Sequence, residues 1–532
     1  MNIGIINTGG TISCVGDPLA PMSASAFAQA CNVWIDPVIQ AEFPEIQLHY
    51  LVDVVFPGSS THTLDSTNLQ PSDWCIMAEA ILAHYEEMDG FVVLHGTDSM
   101  DFSGAALSFL LNGLNERGVG VAVLSKPVIV TGSQVPLFHQ TDGMPCQLNF
   151  NTDAYQNLCG AIAAAQTGIA EVGVYFQNRL YRGNRVLKTN ASEFNAFESP
   201  NYPYLAEAGV AFTIENQRCL PGPVNHAVSL DNPSVRDSLR AQINDLSVQM
   251  NTSLVSQLNA FPAPYRIAPP QAFLAQIVDA LVSAGTRGII LESYGEGNFP
   301  SGSPDEPSKG AIYQALAAAH QQGVILVDAS QVIAGTVNNS AYAAGAWLPQ
   351  VGVVSSADMT PMAGLVKLTV LLALEKLHGW PEGTVNRLFQ TNWAGEMQNT
   401  NRLDSRVNPS LLPGEHLMTF DGMASLHNDP NHGPRLVRNS DNELLWQLPE
   451  SLPTEALPGT LTMQNDGNLV FYSRDQVPLW ASQTGHSSGA ASWLELSGSS
   501  STQQLAEITL TVYNYADQHV SVQLYPSERS HS

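Results

Sequence analysis

Six short apolar runs constrain the fold of this chain more than any other feature: IGIIN (3–7), GFVVLHG (90–96), PVIVTGS (127–133), EVGVYFQ (171–177), GIILESYG (288–295) and GVILVDAS (323–330). Each is apolar without alternation, the pattern of a strand buried on both faces. Amphipathic stretches lie between several of them, at Ser72–Met88, Gln271–Ala284 and Lys309–Gln322. This βαβα alternation predicts an α/β fold of mainly parallel sheets covered by helices. Ligands in such folds bind past the carboxyl ends of the strands, where Thr11, Thr97 and Tyr294 fall. The rhythm breaks over 206–268, where LPGPVNHAVSLDNPS and FPAPYRIAPP flank an expected helix at Val235–Leu246. Its proline density marks a linker between an N-terminal α/β domain, 1–205, and a C-terminal α/β domain, 269–398.

Beyond residue 400 lysine and cysteine vanish, and short alternating runs such as LTMQ, NLVFY, ITLTVYNY and VSVQLYP take over. They predict an all-β region over 408–532. Two segments echo each other, each beginning Leu-Pro-Gly and closing on Leu-Trp, at Trp446 and Trp480. A repeat of about 35–45 residues with one tryptophan per unit predicts small antiparallel sheets around a shared core. A third unit is expected to begin at ASWLELSG (491–498), and the tail ITLTVYNYADQHVSVQLYP reads as an added hairpin, a surface for a partner.

The formal net charge of −27 argues against nucleic acid or an anionic membrane as partner. No apolar run approaches the ~18 residues of a membrane span. The N-terminus has no basic segment followed by a long apolar stretch, and the six cysteines are scattered without metal-type spacing. The expectation is a cytoplasmic protein with reduced thiols and no bound metal.

Four motifs carry candidate chemistry. In NTGGTI the glycine pair before Thr11 follows a strand, but the G-x-G-x-x-G spacing and a P-loop lysine are missing. It is a tight turn or a loop that presents a nucleophile. HGTDSM sets the Thr97 hydroxyl beside the Asp98 carboxylate, as a helix N-cap or as a pair acting on a carbonyl. LDSTN places Ser66 and Thr67 in a polar turn or a carboxylate-binding loop. NRLYRGNRVLKTN is a basic run in an acidic chain that holds only five lysines, and Lys188 is either solvated there or placed to relay a proton.

Taken together, TGGTI, LDSTN, HGTDSM, VTGSQ, YRGNR…KTN…AFESPNYP and SYGEGN resemble, in order and surroundings, the bacterial-type L-asparaginases, closest to the type I cytoplasmic branch. The resemblance runs from residue 3 to about 395. It implies hydrolysis of L-asparagine to L-aspartate and ammonia through a covalent acyl-enzyme, without metal or cofactor. By this resemblance Thr11 is the nucleophile, Thr97, Asp98 and Lys188 form a second triad, Ser66 and Thr67 hold the α-carboxylate, and Asp98 also meets the α-ammonium. It further implies a homo-oligomer, a dimer or tetramer. One departure stands out: the family's loop tyrosine is missing, Leu19 stands at its position, and no tyrosine precedes Tyr50. A second is an insertion around 139–150. A related amidohydrolase with another amide substrate therefore stands as an alternative.

In the C-terminal region QNDGNLVFY fits Q-x-D-x-N-x-V-x-Y and resembles the sugar site of bulb-type mannose-binding lectins, a β-prism of three repeats. The resemblance implies that Gln464, Asp466, Asn468 and Tyr472 bond mannose hydroxyls while Val470 packs against the ring. As a local pattern it is also a plain hairpin around Asp-Gly-Asn. The matching stretch of the first repeat, LHNDPNHGPRLVR, is eroded, so one sugar site is expected. The lectin half alone, beside a weakly active enzyme half, is a further alternative.

Overall fold

The computed structural model describes all residues except 117, 119, 141–143, 221, 224–225, 338–341, 398–400, 406–408, 420–423, 440, 449–451, 486–491, 498–507, 515–518 and 527–532. The chain divides into two compact units. One comprises Met1–Ser253, Met362–Pro381 and Ala394–Glu396; the other comprises Leu254–Pro361, Glu382–Trp393 and Met397–Ser532.

The first unit is built on an eight-stranded mixed sheet. Five strands run parallel in the order Gln47–Tyr50, Asn2–Asn7, Gly90–Leu94, Val128–Thr131 and Val172–Phe176. Three short antiparallel strands, Arg179–Arg182, Ala206–Ala208 and Phe212–Ile214, extend it. Gly90–Leu94 is buried at every position, as an unalternating apolar run demands. The helices Ala24–Trp34, Pro71–Ala83, Met100–Leu110, Ala154–Ala165 and Pro233–Met250 belong to the same unit. The segment expected to be a linker, 206–268, is thus structured: two of its strands join this sheet, and its helix reaches Met250. Proline there sets element boundaries, with Pro233 at the first helical turn, rather than marking a bare connection.

Much of the basic run lies inside the unit, not in water. Arg182 pairs with Glu171 at 2.6 Å, both buried, and donates to the Gly395 carbonyl. Arg185 donates to the Glu396 carbonyl, and Asn184 to that of Ala394. Glu396 in turn pairs with Lys367, both side chains at 0% exposure. The segment Ala394–Glu396 is held by these polar contacts.

The second unit contains a four-stranded parallel sheet, Val255–Asn259, Gly288–Ser293, Ile325–Ser330 and Val353–Ser355. Beyond it the chain forms three four-stranded antiparallel sheets. Leu403, Leu417, Leu426, Leu436, Leu461, Phe471, Leu494 and Leu510, all 0% exposed, share one core. Trp446 and Trp480, the tryptophans of the two echoing segments, meet edge to face at 6.3 Å. The tail is not an added hairpin. Thr509–Asn514 and His519–Tyr525 complete the third sheet beside Arg402–Asp404 and Ser492–Ser497. Their alternating apolar residues Leu510 and Val512 supply core, which a free surface hairpin would not need.

Burial holds the Lys367 ammonium below its usual range, with Glu396 opposing the shift. Removing one partner of such a pair leaves an uncompensated charge. Lys367→Met is expected to lower stability by about 3–5 kcal/mol in urea unfolding, and adding Glu396→Gln to recover about half of it.

Candidate active site

Three loops meet past the carboxyl ends of Asn2–Asn7 and Gly90–Leu94. The first begins at Thr8, whose N–H and hydroxyl both donate to the Leu94 carbonyl, at 3.0 and 2.8 Å. The second is tied to the first by a short backbone ladder: Leu64 N–H donates to Thr8 O at 2.7 Å, and Gly10 N–H to Leu64 O at 3.0 Å. The third, following Leu94, abuts both. A Cβ on Gly10 would lie 2.3 Å from the Gly96 Cα, and one on Gly96 would lie 2.4 Å from the Ser66 hydroxyl. Gly10 also has φ +76, a conformation L side chains rarely adopt. The glycines of NTGGTI and HGTD are therefore required by close backbone approach.

Thr11 opens a single 3₁₀ turn, Thr11–Ser13, immediately after this contact. It is half-buried, and its hydroxyl has no hydrogen-bond partner among the described residues. Ser66 and Thr67 lie on another 3₁₀ turn, Ser66–Asn68, capped by Asp65, whose carboxylate accepts the Thr67 N–H at 3.1 Å. The Ser66 hydroxyl is buried without a partner, whereas Thr67 is exposed.

Thr97, Asp98 and Lys188 are brought together from positions about ninety residues apart. The Lys188 ammonium donates to the Thr97 hydroxyl at 2.8 Å and to the Asp98 carboxylate at 2.7 Å. Thr97 donates weakly to Gln134 Oε1, at 3.4 Å. Asp98 is more than half exposed, so this ion pair adds little to stability. Its value lies in fixing the ammonium against the buried Thr97 hydroxyl.

Two further groups hold this arrangement, and neither was singled out in the sequence. Asp101, on the first turn of Met100–Leu110, accepts the Lys188 backbone N–H at 3.3 Å. Burial pushes its carboxyl up to about 6, against the N–H groups of Lys188 and Phe102. His95 is fully buried, with Nδ1 2.7 Å from the Gly96 carbonyl and Nε2 2.9 Å from the Ser103 hydroxyl. Burial lowers its imidazole to about 4. A neutral ring facing a carbonyl at Nδ1 must donate there, so Nε2 accepts from Ser103, which accepts from the Trp74 indole at 3.1 Å. The line Trp74–Ser103–His95 therefore holds the carbonyl of the glycine that touches Gly10. An acid inside an apolar helix turn, and a histidine eight residues before a serine, are the sequence signals that could have found them.

The segment after Thr11 folds as a small hairpin, Cys14–Val15 with Ala20–Pro21. Leu19 lies at its tip, 57% exposed. The base is pinned where Met22 N–H donates to Ser13 O and the Thr63 hydroxyl to Met22 O. Part of the 139–150 insertion forms a second short pairing, Phe138–His139 with Gln147–Leu148; its residues 141–143 lie outside the described residues.

In the all-β region Gln464 donates to the Tyr472 hydroxyl, and the Asn468 N–H to the Asp466 carboxylate at 3.0 Å. Leu461, Met463, Leu469 and Phe471 point into the core. Alternation therefore turns Thr462, Val470 and Tyr472 to the other face, with Val470 3% exposed. Among the described residues no three His, Cys, Asp or Glu side chains cluster as metal ligands, and no helix is long and apolar enough to cross a membrane.

Comparison with known proteins gives a consistent picture for the α/β part. The family profile for the asparaginase N-terminal domain matches residues 2–219, and that for the glutaminase/asparaginase C-terminal domain matches residues 270–378. The chain is 32% identical over 397 residues to L-asparaginase 1 of Escherichia coli (strain K12), covering 74% of this chain and 98% of that one. It is 31% identical over 425 residues to the 60 kDa lysophospholipase of Mus musculus, covering 79% of this chain and 62% of that protein. A solved structure, L-asparaginase I from Vibrio cholerae, is similar with a TM-score of 0.54 at 28% identity, over 74% of this chain and 98% of that one.

The buried neutral His95 has a thermodynamic signature. An unfolded histidine takes up a proton near 6.5 and this one near 4. The unfolded state therefore binds more protons in that window, and stability drains as pH falls through it. Against a His95→Gln reference, wild-type stability is expected to drop by about 3 kcal/mol across the window, read by urea unfolding at stepped pH.

Proposed function

The chain belongs to the asparaginase family of amide hydrolases, and from that premise we propose that it converts L-asparagine to L-aspartate and ammonia through an acyl-enzyme on Thr11. The observation that carries this reading is the Lys188 ammonium bridging the Thr97 hydroxyl and the Asp98 carboxylate, beside the loop whose Gly10 touches Gly96.

The Thr11 hydroxyl adds to the side-chain amide carbon of asparagine. The carbon–nitrogen bond then breaks, and the amine leaves as ammonia with the proton Thr11 gave up. Water adds to the resulting ester and the Thr11 oxygen departs, reclaiming a proton as aspartate forms. Thr97 already accepts a hydrogen bond from the ammonium and keeps a lone pair for a passing proton, while Lys188 stabilises the alkoxide character that develops nearby. Asp98, half in water, offers its second oxygen to the substrate ammonium. Ser66, whose buried hydroxyl lacks a partner, receives the α-carboxylate together with Thr67. The reading needs no cofactor or metal. It assumes a homo-oligomer, a dimer or tetramer, in the cytoplasm.

Leu19 favours a second reading in the same class, an amidohydrolase with another small amide as preferred substrate, because the hairpin tip brings a hydrocarbon where the family brings a phenol. For the C-terminal region, 408–532, we propose a bulb-type lectin-like β-prism that binds mannose through Gln464, Asp466, Asn468, Val470 and Tyr472. Three four-stranded sheets around one core support it, as does the pairing of Gln464 with Tyr472.

Thr11→Ala is expected to abolish ammonia release from L-asparagine, and Lys188→Met to lower kcat by about 10²–10⁴ with the fold intact by circular dichroism. Retained activity in Thr11→Ala sinks the mechanism. A kcat/KM panel of asparagine, glutamine and small amides decides between the two readings. Mannose-agarose is expected to retain the full chain and to release Asn468→Ala; failure to retain the wild type removes the sugar reading.

A further inference from the structure

The sheet formed by His416–Met418, Ala424–Asp429, Gly433–Arg438 and Glu443–Gln447 carries one row of side chains with no counterpart among the described residues of the all-β region. Its register pairs His416 with His427, His427 with Arg435, and Arg435 with Gln447. Their neighbours Leu417, Leu426 and Leu436 fill the core, so the row lies on the opposite, outward face. The two imidazoles stack at 5.2 Å with an interplanar angle of 28°. Directly opposed residues in a sheet lie within about 5 Å at Cβ, so Arg435 stands beside this stack.

Among the described residues no side chain hydrogen-bonds or ion-pairs with these bases, although Asp429, two residues from His427 on the same face, acts on it through its charge. His416, His427 and Arg435 make no hydrogen bond or ion pair, and the Arg435 Nε is buried without a partner. The acids of the same sheet are engaged elsewhere. Asp429 accepts from the N–H groups of Asn431 and His432 and from the His432 ring. Asp441 and Glu443 both take Arg438, and Glu415 accepts the Leu412 N–H. Corresponding rows of the other sheets differ. One is neutral, Ser410–Thr462–Val470–Ala481; in the other, Arg402 is directly opposed by Glu495. In a chain with 48 acidic residues against 21 basic ones, the buried Arg435 Nε still has no bonded acid, which leaves a desolvated donor uncompensated.

We propose that this face is a binding site for a small oxyanion, a carboxylate or phosphate group carried by a ligand, held by Arg435 with His427 and His416. Arg435 supplies the permanent charge and a planar set of donors suited to an oxyanion. Partial burial lowers both stacked imidazoles, and at His416 the neighbouring His427 adds to it, so the pair takes up a proton when an anion arrives. Of the charged groups facing them, Asp429 opposes that burial at His427, and Arg435 lies directly across the register from His427. Binding is therefore coupled to proton uptake and tightens as pH falls. The site is independent of the sugar reading of Gln464–Tyr472.

The test is calorimetric titration of the full chain with inorganic phosphate and with glucuronate, and with mannose as neutral control, at about pH 7.5 and about pH 5.5. The expected result is saturable binding of at least one anion, tightening about tenfold toward the lower pH. Which anion binds identifies the carrier of the charge. Arg435→Gln is expected to weaken it at least about tenfold, Arg435→Lys to keep only part of it, and His427→Gln to flatten the pH dependence; circular dichroism and urea unfolding check that each variant is folded. Absence of binding by both anions at both pH values overturns the proposal. So does binding that is unchanged in Arg435→Gln, since the anion then sits elsewhere.

Discussion

The candidate active site depends on one backbone contact, between Gly10 and Gly96. Neither position has room for a Cβ, and Gly10 also needs a left-handed backbone. That contact allows two parallel strands to deliver their following loops to the same point, one with Thr11 and the other with Thr97 and Asp98. Ser66 is drawn in because its hydroxyl packs on Gly96, and Leu64 ties its loop to Gly10. Lys188 arrives on a separate hairpin and is held by backbone and ammonium alike, the first on Asp101 and the second on Thr97 and Asp98. The resulting site is rigid at its floor and wet at its rim.

Buried polar side chains hold irregular loops of the first unit, His95 the one beneath this site and Arg182 the segment around Gly395. His95 carries no charge and Arg182 does, yet both spend their donors on carbonyls of loops that lack regular pairing. Helices and strands satisfy their own backbone; the loops of this site do not, and buried side chains complete the accounting. This explains why basic residues, rare in so acidic a chain, concentrate within YRGNR. They act as interior fasteners, with Glu171 balancing Arg182.

Much of this was legible in the sequence. The six apolar runs became buried strands because a strand covered on both faces has no alternation to disguise it. The motif residues Thr97, Asp98 and Lys188, singled out in the sequence, lie within bonding distance only because the fold brings them together. What escaped has physical causes. The tail strands Thr509–Asn514 and His519–Tyr525 look autonomous because local pattern reports pairing with each other but not with Ser492–Ser497, which in turn pairs with Arg402–Asp404 some ninety residues earlier. Proline between 206 and 268 suggested a loose connection, yet proline is as much at home at helix starts and sheet edges. His95 and Asp101 went unnoticed since a buried polar group is identified by its partners, and those are set by tertiary packing.

The return of Ala394–Glu396 to the first unit bears on how the molecule is made. A sheet begun at Asn2 takes its last buried carboxylate from Glu396, after the strands from Val255 to Ser355 have been synthesised. During translation Arg182 and Arg185 therefore wait for the Gly395 and Glu396 carbonyls they finally meet, although Glu171 is already present for Arg182. The all-β region waits longer still, since its third sheet opens at Arg402 and closes at Tyr525. The first unit can seal only once Glu396 has been made, and the second only near the end of synthesis, so apolar surface of both stays open through much of translation.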